Sequence, residues 1–261
     1  METIIREPAV SGMFYDNNPD RLKNQIDKMI QDAPDFNIEK LKALISPHAG
    51  FIYSGPIAGY GFKQLKNKHF ETVFILGPSH QVYVKGASVP VFTHFKTPLG
   101  LVEVDTKIVS KLSKQESFIS IPEAHAREHS LEVQIPFLQR VLTNFKIVPI
   151  IIGEGEHKEI ANILKEYISS QTLIIVSTDL SHYLPYQTAV EKDKNSIKWI
   201  TDGDIDKARF CDACGRNPVL VLMYLSKEMH WSSKVLDYRN SGDTAGDKSR
   251  VVGYTSIAYY E

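Results

Sequence analysis

The sequence predicts an α/β fold: a central mixed, mostly parallel sheet flanked by helices. Three observations lead there. Short apolar runs alternate with amphipathic segments along the whole chain. Two of those runs, Lys146 to Ile152 and Leu173 to Ser177, are apolar almost throughout, as strands covered on both faces are. Three strand-like runs end in polar segments that carry a histidine, and the carboxyl edge of an open parallel sheet is where ligands bind.

Residues 8 to 19 hold Pro8, Gly12 and Pro19 and read as an irregular arm, anchored by Phe14 and Tyr15. A helix follows from Pro19 or Asp20 to about Gln31, with Leu22, Ile26, Met29 and Ile30 on one face. Ala43 to Ile45 is a buried strand that Pro47 stops, because proline has no N–H for a sheet ladder. Ser54-Gly55-Pro56 reads as a helix start with proline in the first turn. Val73 to Leu76 is the second strand, and residues 81 to 104 form an antiparallel excursion turning at Pro98-Leu99-Gly100.

Asp105 to Leu112 is a capped helix. Ser130 to Leu142 is helical, with Pro136 either kinking it or marking its true start. Further helices are expected over His157 to Ile168, Thr188 to Ile200, Ile205 to Phe210 and Pro218 to Leu225. Lys234 to Tyr238 and Val251 to Ala258 are strands, separated by the Gly/Asp-rich loop Asn240 to Asp247. No Ser/Pro/Gly-rich linker divides the chain, so one domain over residues 1–261 is expected.

Hydrophobic residues make up 43% and charged residues 23% of the 261, ordinary values for a globular protein. The formal net charge of -1 gives no global field toward nucleic acid or an acidic membrane. Two cysteines do not make a secreted disulfide framework. No signal-peptide core opens the sequence and no apolar run approaches the ~20 residues of a membrane span, so a cytoplasmic protein is expected. GxxxxGK[ST], a clean GxGxxG and Gly-x-Ser-x-Gly are all absent, which argues against nucleotide hydrolysis and serine esterase chemistry.

The chemistry rests on histidines. His48 and His80 both follow a strand and a proline, so they are expected to converge on one sheet edge. Neutral imidazole is a common ligand for zinc, copper and iron, but two histidines need a third partner. Asp243 and Asp247 are the candidate carboxylates, and two histidines with a carboxylate form the facial arrangement of non-haem Fe(II) oxygenases. His182, after Asp179 at another strand end, is a candidate acid/base with Asp179 orienting it or taking its proton. Glu128 and Glu132 stand one helical turn apart beside His129, with helix-start and pocket roles equally open. Cys211 and Cys214 have redox spacing without a thioredoxin-like setting and are expected to be buried or semi-buried thiols near a helix start.

Together these motifs resemble the Memo family, the B component of the AmmeMemoRadiSam group. The resemblance lies in Pro47-His48-Ala49-Gly50 with Tyr53-Ser54-Gly55, Gly77-Pro78-Ser79-His80, and Glu128-His129-Ser130-Leu131-Glu132. It continues through Ser177-Thr178-Asp179-Leu180-Ser181-His182, Cys214-Gly215-Arg216-Asn217-Pro218 and Val252-Gly253-Tyr254, nearly the whole chain. It implies a fold similar to class III (LigB-type) extradiol dioxygenases, with His48 and His80 as metal ligands and His182 and Asp179 in the acid/base positions. It also implies a cysteine as third ligand in the last loop of eukaryotic members, where this chain has Thr244. Threonine is a poor ligand for a soft or borderline metal, so Asp243 is the expected substitute. Radical SAM and AMMECR-type proteins are the implied pathway partners. The expected function is a dioxygenase-like oxidoreductase using Fe(II), with copper or zinc as other candidate ions. It would act on a small organic or modified-nucleotide-like substrate, with His182, Asp179 and His129 around it. The alternative is a non-catalytic module that docks a peptide or protein in the same histidine-lined pocket. A weaker third reading is metal-assisted hydrolysis.

Overall fold

The computed structural model describes residues 2–261. The first half contains β1 (Ile5–Arg6), α1 (Pro19–Asp32), β2 (Leu41–Ser46), α2 (Phe51–Lys63) and β3 (Thr72–Gly77). It goes on with β4 (Ala87–Ser88), β5 (His94–Thr97), β6 (Gly100–Glu103), α3 (Thr106–Leu112), β7 (Phe118–Ile119) and α4 (Pro122–Ala126). Next come α5 (His129–Glu132), α6 (Ile135–Val141), β8 (Lys146–Ile152), α7 (His157–Lys165) and β9 (Thr172–Ser177). The last part holds β10 (His182–Leu184), α8 (Tyr186–Thr201), α9 (Ile205–Ala208), α10 (Arg216–Met229), β11 (Ser232–Asn240), α11 (Ser241–Thr244) and β12 (Val251–Tyr260).

A nine-stranded mixed sheet runs β10-β12-β2-β9-β3-β8-β4-β7, with β11 also paired to β12. Its centre, β2-β9-β3-β8, is parallel. The apolar runs expected to be covered on both faces are β8 and β9, and both lie in this centre. Alternate residues serve opposite cores, as the two-residue repeat of a strand requires. Leu44, Val73, Ile75, Leu173 and Ile175 pack on the α1–α2–α6 side. Ala43, Ile45, Phe74, Leu76, Ile174 and Val176 pack on the side of α7 and α10. The α/β architecture expected from the sequence and from the extradiol dioxygenase resemblance is the one observed.

Strand order positions the site. β9 lies between β2 and β3, with Ser46 beside Ser177 and Leu76 beside Val176. The three carboxyl ends are therefore adjacent. His48 lies two residues past the end of β2, Asp179 two past β9, and His80 three past β3.

Two expectations shift. The helix placed at Ser54 begins at Phe51, with Pro56 inside it. The carbonyl of Phe14 accepts the Phe51 N–H at 2.7 Å, so the distant N-terminal arm starts this helix and no local cap signals it. The residue whose carbonyl loses its partner to Pro56 is Ile52, on the solvent side, where water can replace the bond. The segment from Ser130 to Leu142 is two short helices, α5 and α6, and Pro136 stands in the first turn of the second.

One buried ion pair fixes the arm. Arg6 and Glu132, both 1% exposed in their side chains, form a salt bridge. The same carboxylate accepts Ala9 N–H at 2.7 Å, Val10 N–H at 3.1 Å and the Tyr15 hydroxyl. Removing one partner of such a pair strands the other charge in a low dielectric. Glu132→Ala is expected to lower the unfolding free energy by about 3–5 kcal/mol in urea titrations. The double change Arg6→Met with Glu132→Leu should recover part of that loss.

Candidate metal centre

His48 is 2% exposed. Its backbone N–H donates to Asp179 Oδ1 at 2.8 Å, and its Nδ1 lies 2.9 Å from Ser177 Oγ. The opposite ring nitrogen, Nε2, faces Cys214 Sγ at 3.2 Å and Asp179 Oδ2 at 4.0 Å. His80 is held from α5. Its backbone N–H donates to Glu128 Oε2 at 2.8 Å, and its Nδ1 pairs with Glu128 Oε1 at 2.9 Å. The His48 and His80 ring centroids are 5.2 Å apart, and His129 stacks on His80 at 4.6 Å.

Cys214 comes from the loop before α10. It reaches the histidines because the next residue has no side chain. A Cβ on Gly215 would sit 2.5 Å from Ser177 O and 2.5 Å from Thr178 Cβ, so only glycine lets this loop close on the end of β9. The sulfur also accepts the Asp179 N–H at 3.2 Å. Ligand atoms of His48, His80 and Cys214 all lie within 4.8 Å of one another, and so do those of His80, Glu128 and His129. Among the described residues these are the two groups with metal-ligand spacing.

Burial sets the charge state. It lowers His48 well below the ordinary imidazole range, with repulsion from His129, His80 and His182 adding to the effect. His129 and His182 are also lowered by burial. The same loss of solvent pushes the Cys214 thiol up to about 12 and Asp179 up to about 7. Glu128 goes the other way. Burial alone would raise it, but the hydrogen bond and attraction from His80 and the N–H groups of Ser130 and His80 bring it down to about 2. His48, His129 and the Cys214 thiol are thus uncharged, with one firmly ionised acid, Glu128, behind them.

An open cavity of about 770 Å³ adjoins the cluster and is lined by His48, His80, His129, Asp179 and His182. Phe14, delivered by the arm, meets His129 edge-on at 5.0 Å and forms one wall. Tyr183 forms another. It sits at φ 57° where the β10–β12 register slips, so two consecutive residues, His182 and Tyr183, both face the cavity. Arg250 lies over the Tyr183 ring at 5.5 Å.

His48, His80, His129, Asp179 and His182 are therefore brought together. Asp243, the expected third ligand, is in neither group. Its carboxylate accepts the Tyr186 hydroxyl at 2.8 Å and closes the capping box of α11 through the Asn240 N–H at 3.0 Å. Thr244 bonds the Ser241 carbonyl. Asp247 reaches the cavity rim, where it holds Ser249. Cys214 takes the place at the cluster that sequence reasoning gave to this last loop. The signal for it was the Cys214-Gly215 pair, since a glycine after a cysteine before a helix permits close approach to a strand end. Cys211 is buried beside Ser196, in the core of the α7–α10 side.

Residues 6–258 match the family described as Memo-like protein. The chain belongs to the Memo family. MEMO1 family proteins of Sulfurisphaera tokodaii and Nitrosopumilus maritimus are each 36% identical to this Memo protein over 98% of its length and 99–100% of theirs. One of Sulfolobus acidocaldarius is 37% identical over 98% of this chain and 99% of its own. The crystal structure of an uncharacterized protein from Escherichia coli K12 shares the fold. Its TM-score is 0.57 at 13% identity, covering 84% of this Memo protein and 99% of the other chain. Among the described residues no helix is long and apolar enough to cross a membrane.

Two outcomes follow for this Memo protein. Gly215→Ala should cost about 1–3 kcal/mol in chemical denaturation, because the new methyl wedges α10 off the end of β9. The second concerns acid. The unfolded chain protonates its histidines below about pH 6.5 while buried His48 stays neutral, so that contribution to stability is present above 6.5 and lost as pH falls. Asp179 acts in the opposite sense, losing stability as pH rises from its unfolded value toward about 7. Urea midpoints of chelator-treated protein between pH 7 and 5 should therefore fall less in His48→Gln than in the parent, and more in Asp179→Asn.

Proposed function

We propose that this Memo protein is a metal-dependent oxidoreductase of the non-haem type, with the ion held by His48, His80 and Cys214. The observation that carries this reading is the mutual approach of three ligand atoms within 4.8 Å, each imidazole being tethered through Nδ1. Metal-binding histidines characteristically give their other ring nitrogen to a carboxylate or a similar acceptor, as His80 does to Glu128. Imidazole with a thiol suits iron, copper or zinc better than magnesium or calcium. Among these, Fe(II) fits the oxygenase resemblance of the chain, and when bound it would supply electrons for dioxygen activation.

The chain's own residues handle protons and position. Asp179, poised near neutral pH and bonded to the His48 N–H, is suited to hold or release a proton beside the cluster. His182 lines the same cavity with a neutral ring able to accept one. His129 packs over His80 and, with Phe14, narrows the approach. The substrate is then a small organic or nucleotide-like molecule of a size that the cavity admits. A pathway shared with radical SAM and AMMECR-type proteins belongs to this reading through the family resemblance.

Anaerobic titration with Co(II) and with Fe(II), followed by metal counting, tests it. Near-stoichiometric metal is expected in the parent and in Asp243→Ala, and at least a tenfold weaker site in His48→Ala, His80→Ala and Cys214→Ser. The Co(II) form should show a sulfur-to-metal charge-transfer band that Cys214→Ser removes. Unchanged binding in His48→Ala would falsify the ligand set. A metal-indifferent protein that binds phosphorylated peptides in this cavity would favour the docking module instead.

A further inference from the structure

We infer that Ser177, itself held by Ser130 and Gln134, locks His48 in the Nδ1–H tautomer, so that Nε2 is a standing lone-pair donor facing the cluster. The inference deepens the metal reading of the site and rests on His48 as a ligand.

The assignment comes from following each hydrogen to its only available acceptor. The Ser177 Oγ lies 2.6 Å from the backbone carbonyl of Ser130, and a carbonyl only accepts, so the hydroxyl hydrogen points there. Gln134 Nε2 lies 2.9 Å from the carbonyl of Pro47 and 2.8 Å from Ser177 Oγ. The carbonyl requires the amide nitrogen at that position, and its second hydrogen goes to Ser177. The serine oxygen has then given its one hydrogen and accepted one from Gln134, which leaves a single lone pair for His48 Nδ1 at 2.9 Å. Nδ1 must carry the hydrogen. A neutral ring has only one, so Nε2 is bare.

The far side of the ring agrees. Cys214 Sγ, 3.2 Å from Nε2, accepts the Asp179 N–H, and its own hydrogen has the imidazole lone pair and, at 3.7 Å, the Asp179 carbonyl within reach. The His80 ring is held on its Nδ1 side too, 2.9 Å from the Glu128 carboxylate. The bare His48 Nε2 faces a thiol, in a group where ligand atoms of His48, His80 and Cys214 lie within 4.8 Å of one another. On this side the His48 ring offers a lone pair to a cation and no N–H to an anion. The lock therefore separates the metal reading from recognition of an anionic group by the His48 ring. Ser130, Ser177 and Gln134 are all buried, with at most 1% exposure, so water does not compete for these bonds. Ser177 is a positioning residue on this account, and Gln134 and Ser130 position it in turn.

Long-range proton–nitrogen NMR of metal-free protein labelled with ¹⁵N-histidine tests this, with His48 assigned by the signals missing from His48→Gln. The expected spectrum shows a pyrrole-like Nδ1 and a pyridine-like Nε2 for His48. The reverse pattern, or rapid exchange between the two, overturns the inference without any variant that has to fold. Ser177→Ala should mix the tautomers and weaken Co(II) binding by about 10–100-fold, and Ser177→Thr, which keeps the hydroxyl, should restore both. Parent-like tautomer and affinity in Ser177→Ala would reduce Ser177 to packing and overturn the inference. The expected tautomer in a protein that binds no ion would uphold the lock and defeat the metal reading of the site, so the two fail separately.

Discussion

Two carboxylates one helical turn apart, Glu128 and Glu132, tie this molecule together. Both are buried, Glu128 as the N-cap of the short helix α5 and Glu132 at its end, and they have different duties. Glu132 neutralises Arg6 and gathers the N–H groups of Ala9 and Val10 and the hydroxyl of Tyr15, so the N-terminal arm is clamped at several points by one side chain. Glu128 caps α5 and grips both the backbone and the ring of His80. An arm held by one acid and a histidine held by the other cannot shift independently. The Phe14 wall of the cavity and the start of α2 at Phe51 both hang from that clamp.

The electrostatics of the cluster follow from its burial. Low solvent access disfavours the charged forms of His48, Cys214 and Asp179, so the His48 imidazole stays unprotonated, the thiol keeps its hydrogen and Asp179 sits near neutrality. Only Glu128 is held ionised, because N–H groups of His80 and Ser130 and the His80 ring surround it. A neutral, lone-pair-rich pocket backed by one negative charge is an environment that a bound cation would relieve. Close packing completes it. Glycine at position 215 lets a thiol approach a strand end that any larger residue would hold away.

The cavity has two kinds of wall. On one side are strand-end groups fixed by sheet register, His48, Asp179 and His80. On the other are residues on less regular backbone: Phe14 in the arm, Tyr183 at a register slip, and Arg250 just ahead of β12. Loops on a rigid scaffold are where substrate preference is usually set, while the scaffold holds the reactive groups. On the proposed reading, that division would put the chemistry on the sheet edge and leave selectivity to the arm and the last loops.

Much of this was legible in the residues alone. Apolar runs closed by Pro47 and by Pro78 mark strand ends, and they put His48 and His80 at a carboxyl edge. Asp105 caps the helix expected after it, and Pro136 marks a helix start, because caps and prolines act on neighbours a few residues away. What needed the tertiary structure were relations between distant segments. Local patterning cannot say that β9 runs between β2 and β3, yet that order alone makes three strand ends neighbours. It cannot show that the Phe14 carbonyl starts α2, nor that Glu132 answers Arg6. It offered Asp243 as a ligand because an acid in a glycine-rich loop looks free, whereas folding commits that acid to Asn240 and Tyr186 and brings Cys214 across the sheet to the histidines. Strand ends are a property of short stretches of chain; which ends meet is a property of how the whole sheet packs.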